Sequence, residues 1–214
     1  MRKSYLSTVA QRGLLLTDAA APRIRATRDV DVIVEVASLA SYHRLSARLR
    51  EYGFREDQSD DAPICLWING DLILDLMPTK TELLGFGNDW YAPAFHTASP
   101  IKLPSGTEIR LIRAPYFLAT KLAAFFTRGS GDYMLSHDFE DIVAVVDGRQ
   151  ELVNEVAASQ ETLRTHLAEH IAVFLDDPDF HATLPGHLPG DAANQERLPV
   201  ILESLRSIAS LRQI

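Results

Sequence analysis

The sequence predicts an α/β (α+β) fold, a mixed β-sheet flanked by helices, with a helical C-terminal region. Three observations carry this expectation. β-Branched residues alternate with others in the first half of the chain, as in residues 30–36 (VDVIVEV). Two β-rich runs, 64–68 and 71–77, flank an Asn69-Gly70 pair, the local signature of a hairpin, because both central residues of a type I′ turn need positive φ. Beyond Pro115, apolar residues recur at helical spacing almost to the end. The expected division is therefore an α/β core over residues 1–113 and a helical region over 114–214.

Each element has its own signals. Ser38 is placed to cap a helix over 39–52, in which Leu45 and Leu49 recur at helical spacing and Gly53 provides the stop. Residues 82–100, rich in Gly, Pro, Asn and aromatics, read as a long loop with at most one short strand, and 108–112 as another strand. Pro115 suits the first turn of a helix to Arg128, with Leu118, Leu122, Phe125 and Phe126 as its core stripe. Ser136 caps a helix through Val146, closed by Gly148, and two helices are expected at 151–158 and 160–176. Residues 178–191 read as a Pro/Gly/His loop before a last helix that ends near Leu211.

Composition narrows the function classes. The chain has 214 residues, 46% hydrophobic and 23% charged, and is long enough to bury a core without staples. Its 21 basic and 29 acidic residues give a net charge of −8, which argues against coating duplex DNA. A local basic pocket and a carboxylate cluster that attracts cations both remain compatible with this charge. The single cysteine, Cys65, allows no internal disulfide and no cysteine-rich zinc module. It reads as a packed strand residue. The longest apolar runs span five residues, and Gln11 and Arg12 interrupt the start, so neither a membrane span nor a secretory segment is expected. The expected location is cytoplasmic.

Four places could carry chemistry. Strand alternation puts Asp29 and Asp31 on one face, where two close carboxylates repel unless a cation neutralises them. Mg²⁺ (or Mn²⁺) suits such oxygen donors, whereas the bland reading has one acid entering a strand and the other exposed. Asp75 is a lone acid in an apolar run, LILDLM, and needs a metal or a structural arginine if it is buried. Three acids on neighbouring strands can hold two metal ions. Lys121 and Arg128 lie seven residues apart, about 20° around a helix, where a packed stem can aim a cation at phosphate or simply snorkel. The segment Ser136-His137-Asp138-Phe139-Glu140-Asp141 starts a helix, and acids in a first turn are favoured by the helix dipole alone.

Taken in order, residues 25–32 (RATRDVDV), 74–78 (LDLMP), 119–124 (ATKLAA) and 137–141 (HDFED) resemble the AbiEii-type nucleotidyltransferases. These are toxin components of bacterial abortive-infection and toxin–antitoxin systems, within the DNA polymerase β-like superfamily. The resemblance spans roughly residues 14–150, by the order of motifs rather than any single one. It implies a nucleotidyltransferase-like mixed sheet flanked by helices, and metal-dependent transfer of a nucleotide from a nucleoside triphosphate to an RNA (tRNA) or protein acceptor. A cognate antitoxin is an implied partner; membranes and duplex DNA are not. By motif, Asp29 and Asp31 are the metal ligands and Asp75 the third carboxylate, suited to activating the acceptor hydroxyl. Arg28, Lys121, Asp138 and Asp141 fall to nucleotide and phosphate binding, with His137 standing where the family motif has lysine.

The family also places a Gly-Gly or Gly-Ser pair on a turn ahead of its Asp-x-Asp strand, where backbone N–H groups cradle phosphate. Upstream of Asp29 this chain has only Gly13. The expectation is an N-terminus that is shortened or altered, or an activity that is impaired. A non-catalytic binding protein of the same fold is the alternative reading. A remote third is an H-x-x-E-H zinc metallopeptidase at His166-Leu167-Ala168-Glu169-His170, with Glu196 or Glu203 as a further ligand. No G-x-S-x-G occurs, so a Ser-His-Asp hydrolase has no support.

Overall fold

A computed structural model describes residues 6–8, 29–59, 64–85, 87–128 and 131–213, with the backbone alone at 6–8, 29, 128 and 213. The fold is mixed α and β. Described residues up to Arg113 belong to one compact unit and those from Ala114 onward to a second. Among the described residues, no helix is long and apolar enough to cross a membrane.

Among the described residues, the first unit carries a seven-stranded sheet in the order β3-β4-β5-β2-β1-β7-β6. Its strands are β1 (Leu6–Thr8), β2 (Asp29–Val34), β3 (Arg55–Glu56), β4 (Leu66–Asn69), β5 (Leu72–Pro78), β6 (Ser99–Lys102) and β7 (Glu108–Leu111). β2 runs parallel to β5 and antiparallel to β1. Helix α1 (Leu39–Glu51) starts where Ser38 Oγ accepts from the Ser41 N–H at 3.3 Å, and Gly53, with φ 84°, turns the chain after it. Val32, Val34, Tyr42, Trp67 and Leu76 form the core of this unit, and Val30, Leu45, Leu49 and Leu74 pack onto it. Alternate residues of β2 and β5 thus meet the apolar side of α1.

Two expectations here are corrected. The hairpin pairs Asn69 with Leu72, so its two-residue turn is Gly70-Asp71, and Gly70 supplies the positive φ of 59°. Residues 82–100 are not one long loop. They contain helix α2 (Tyr91–Thr97), opened by Asn88, whose Oδ1 accepts from the Trp90 N–H at 3.0 Å and whose carbonyl accepts from Tyr91 N–H. Pro93 is tolerated because it lies in the first turn, where its missing N–H has no intrahelical partner to lose.

The second unit is helical: α3 (Ala114–Arg128), α4 (His137–Gly148), α5 (Leu152–Ala157), α6 (Glu161–Asp176), α7 (Pro178–Thr183), α8 (Ala192–Gln195) and α9 (Leu198–Ser210). Its core is an aromatic cluster. Phe125 lies 5.1 Å from Tyr133, 5.3 Å from Phe174 and 5.8 Å from Phe139, ring centre to ring centre, and Phe180 stacks on Phe174 at 5.6 Å. Phe126, expected on the core stripe, is 41% exposed, because neighbours on a helix point about 100° apart and Phe125 takes the inward direction. Residues 178–191 also depart from the expected loop. Asp177 caps α7, accepting from the Asp179 N–H at 2.9 Å, with Pro178 at the first helical position.

Candidate active site

β2 and β5 position the acids. Their parallel register pairs Asp31 with Asp75, Val30 with Leu74, Val32 with Leu76 and Asp29 with Ile73. Val30, Val32, Leu74 and Leu76 pack in the α1 core, so Asp31 and Asp75, one residue out of step, share the opposite face. Neighbouring strands lie about 5 Å apart, and at an effective dielectric of about 20 two ionised carboxylates there repel by about 3 kcal/mol. A cation between them removes that cost. Both side chains are half-buried, whereas the apolar run around Asp75 predicts a buried acid; burial along β5 rises only from Leu76 onward.

Asp75 has a neighbour that sequence reasoning missed. Cys65, buried at the turn ahead of β4, directs its thiol to Asp75 Oδ1 at 3.6 Å. The Cys65 carbonyl accepts from Leu76 N–H at 2.9 Å, and the Leu76 carbonyl accepts from the Tyr42 hydroxyl at 3.3 Å. Burial first, then the neighbouring Cys65, pushes the Tyr42 phenol far above its ordinary range, so it stays a neutral donor. Asp29 opens β2 two residues before Asp31; its side chain lies outside the described residues, as do Arg28 and the segment around Gly13.

Lys121, Asp138 and Asp141 come together inside the second unit. Lys121 Nζ lies 2.7 Å from Asp141 Oδ2 and 3.4 Å from Asp138 Oδ1, and 5.5 Å from the Phe117 ring centre. Asp141 is buried, and Asp138 lies in the first turn of α4 behind the Ser136 cap, where Ser136 Oγ accepts from Phe139 N–H at 3.2 Å. The ammonium expected at a phosphate is therefore held by two carboxylates. The signal was available: Asp138 and Asp141, three apart on a helix, share a face. His137 turns to Glu140, with Nδ1 at 3.3 Å from Oε2.

In α6, the His166 and His170 rings sit 4.0 Å apart, His170 Nδ1 meets the His166 carbonyl at 2.8 Å, and Glu169 pairs with Arg212 at 3.3 Å. Among the described residues, no group of three His, Cys, Asp or Glu side chains is placed to hold a metal ion. The zinc reading thus lacks its third ligand within that set, while the three-acid group depends on Asp29, whose side chain falls outside it. A cavity of about 680 Å³ at the β3 edge, lined by Arg50, Phe54, Arg55, Glu56 and Asp57 among others, includes neither Asp31 nor Asp75.

Compared with protein-family models and with curated proteins, the chain matches neither.

Proposed function

We propose that the chain is a metal-dependent nucleotidyltransferase, with Asp29, Asp31 and Asp75 as its acidic centre. The observation that carries this reading is the register pairing of Asp31 with Asp75 on parallel strands. Two carboxylates fixed side by side by backbone hydrogen bonds are preorganised for a hard dication, and an oxygen-only donor set fits Mg²⁺ or Mn²⁺ better than zinc or copper. When bound, such an ion would offset the charge of a triphosphate and favour attack by a hydroxyl at its α-phosphorus, the α–β anhydride bond breaking and pyrophosphate leaving. Asp29, Asp31 and Asp75 would hold the ion, and Asp75, the third carboxylate, would also lie beside the acceptor hydroxyl and take its proton.

In the second unit, Asp138 and Asp141 hold the Lys121 ammonium in one place; the phosphate-binding roles of Arg28, Lys121, Asp138 and Asp141 are what the family resemblance implies. An RNA or protein acceptor and a cognate antitoxin belong to the same reading through the family resemblance, and a cytoplasmic location through the single cysteine. Incubation with each labelled nucleoside triphosphate, Mg²⁺ and total cellular RNA or protein tests it, with label transfer expected for the wild type and lost in Asp31→Asn. The competing reading is a binding protein of this fold without catalysis. It is favoured by the neutralisation of Lys121 by two acids, which lowers its attraction for phosphate.

A further inference from the structure

We propose that Cys65 is a positioning residue for Asp75, its thiol donating a hydrogen bond that fixes how the carboxylate is turned toward the metal. This rests on the reading of Asp31 and Asp75 as metal ligands. The geometry is specific. Cys65 Sγ lies 3.6 Å from Asp75 Oδ1, and the residue is almost wholly buried at 1% exposure. Its backbone is clamped to the same strand, because the Cys65 carbonyl accepts from Leu76 N–H at 2.9 Å, one residue from the acid it serves. The register of Leu66 with Asp75 carries this clamp into the β4–β5 ladder, so thiol and carboxylate are held by the sheet itself.

A carboxylate on a strand can turn about its terminal torsion, which is broad and two-fold. A donor on Oδ1 narrows that freedom and so sets the direction in which Asp75 presents its oxygens toward Asp31. Partners that orient ligands in this way govern metal affinity in many proteins. The thiol is a weak donor, so the effect is expected at the low end of that range. No bond is made or broken in this role.

Because the chain has one cysteine, its S–H stretching band reports this contact without ambiguity. The experiment uses the full chain and Mn²⁺ as probe, with wild type, Cys65→Ser, Cys65→Ala and Asp75→Asn. The S–H band is expected to move to higher frequency in Asp75→Asn, where a weaker amide acceptor replaces the carboxylate. Mn²⁺ affinity is expected to fall about three- to tenfold in Cys65→Ala, and to return near the wild-type value in Cys65→Ser, whose hydroxyl also donates. A band that stays in place in Asp75→Asn, or equal affinities in the Ala and Ser variants, overturns the positioning role while wild-type Mn²⁺ binding stands. Absence of Mn²⁺ binding by the wild type instead overturns the metal reading, and the positioning role with it. If Cys65→Ala does not fold, the S–H band and the serine variant decide alone: an unmoved band, or a serine variant with markedly weaker binding, contradicts the proposal.

Discussion

Asp31 and Asp75 are partners in the parallel register of β2 and β5, on the face turned away from the α1 core. Their spacing is fixed by the backbone ladder rather than by side-chain choice, which makes charge the variable quantity. Without metal, Asp31→Asn relieves repulsion, so the variant is expected to melt at the same temperature as the wild type or slightly higher. With Mn²⁺ at a hundredfold excess over its Kd, linkage stabilises a binding protein by about 2.7 kcal/mol, a rise in Tm of about 5–10 °C. That rise is expected in full in the wild type and cut by about half or more in the variant at the same metal concentration, by differential scanning calorimetry with and without metal.

The Lys121 cluster separates stability from phosphate binding. Asp141 is buried and 2.7 Å from the ammonium, so Lys121→Met is expected to destabilise the protein by about 2–3 kcal/mol. Denaturant unfolding measures this. A variant of unchanged stability with weakened nucleotide binding would mean that the lysine serves phosphate and not Asp141.

Arg197 ties the start of α9 to the end of α4. Its Nη2 lies 2.8 Å from Asp147 Oδ1 and donates to the Asp147 carbonyl at 3.1 Å. Burial raises the Asp147 carboxyl above its ordinary range against the opposing pull of Arg197, so removing the arginine leaves a poorly solvated acid. Arg197→Ala is expected to cost about 2–3 kcal/mol in unfolding experiments, and the double variant with Asp147→Asn to recover part of it.

His166 gives a pH dependence of known sign. Burial, with His170 adding to it, lowers its imidazole from 6.5 to about 4. The unfolded chain therefore takes up this proton first, so the stabilisation is complete above about pH 6.5 and is lost as pH falls toward 4. Thermal unfolding across this window is expected to show the loss, and His166→Leu to flatten it.

The pattern of the chain gave up its strands and long helices because burial imprints a period on them. Residues 30–36 alternate since one face of β2 meets α1, and Ser38 and Ser136 were legible as caps because few other residues do that work. α2 and α7 were hidden by proline, which signals a break in a helix interior but sits comfortably in a first turn, as Pro93 and Pro178 do. The hairpin was placed one residue early because Gly70 can serve either turn position. At the site, Asp31 and Asp75 were visible as acids out of character with their strands. The thiol of Cys65 was not, since a contact ten residues away across a hairpin depends on register and leaves no trace in composition.

The proposed function stands on Asp31 and Asp75 together holding a divalent metal. Titration of the purified chain with Mn²⁺, followed by the loss of the free-ion electron paramagnetic resonance signal, addresses it directly. Saturable binding is expected in the wild type, weakened by about tenfold or more in Asp31→Asn and in Asp75→Asn. An isotherm that is the same in all three proteins would contradict the claim and leave the paired acids a structural role.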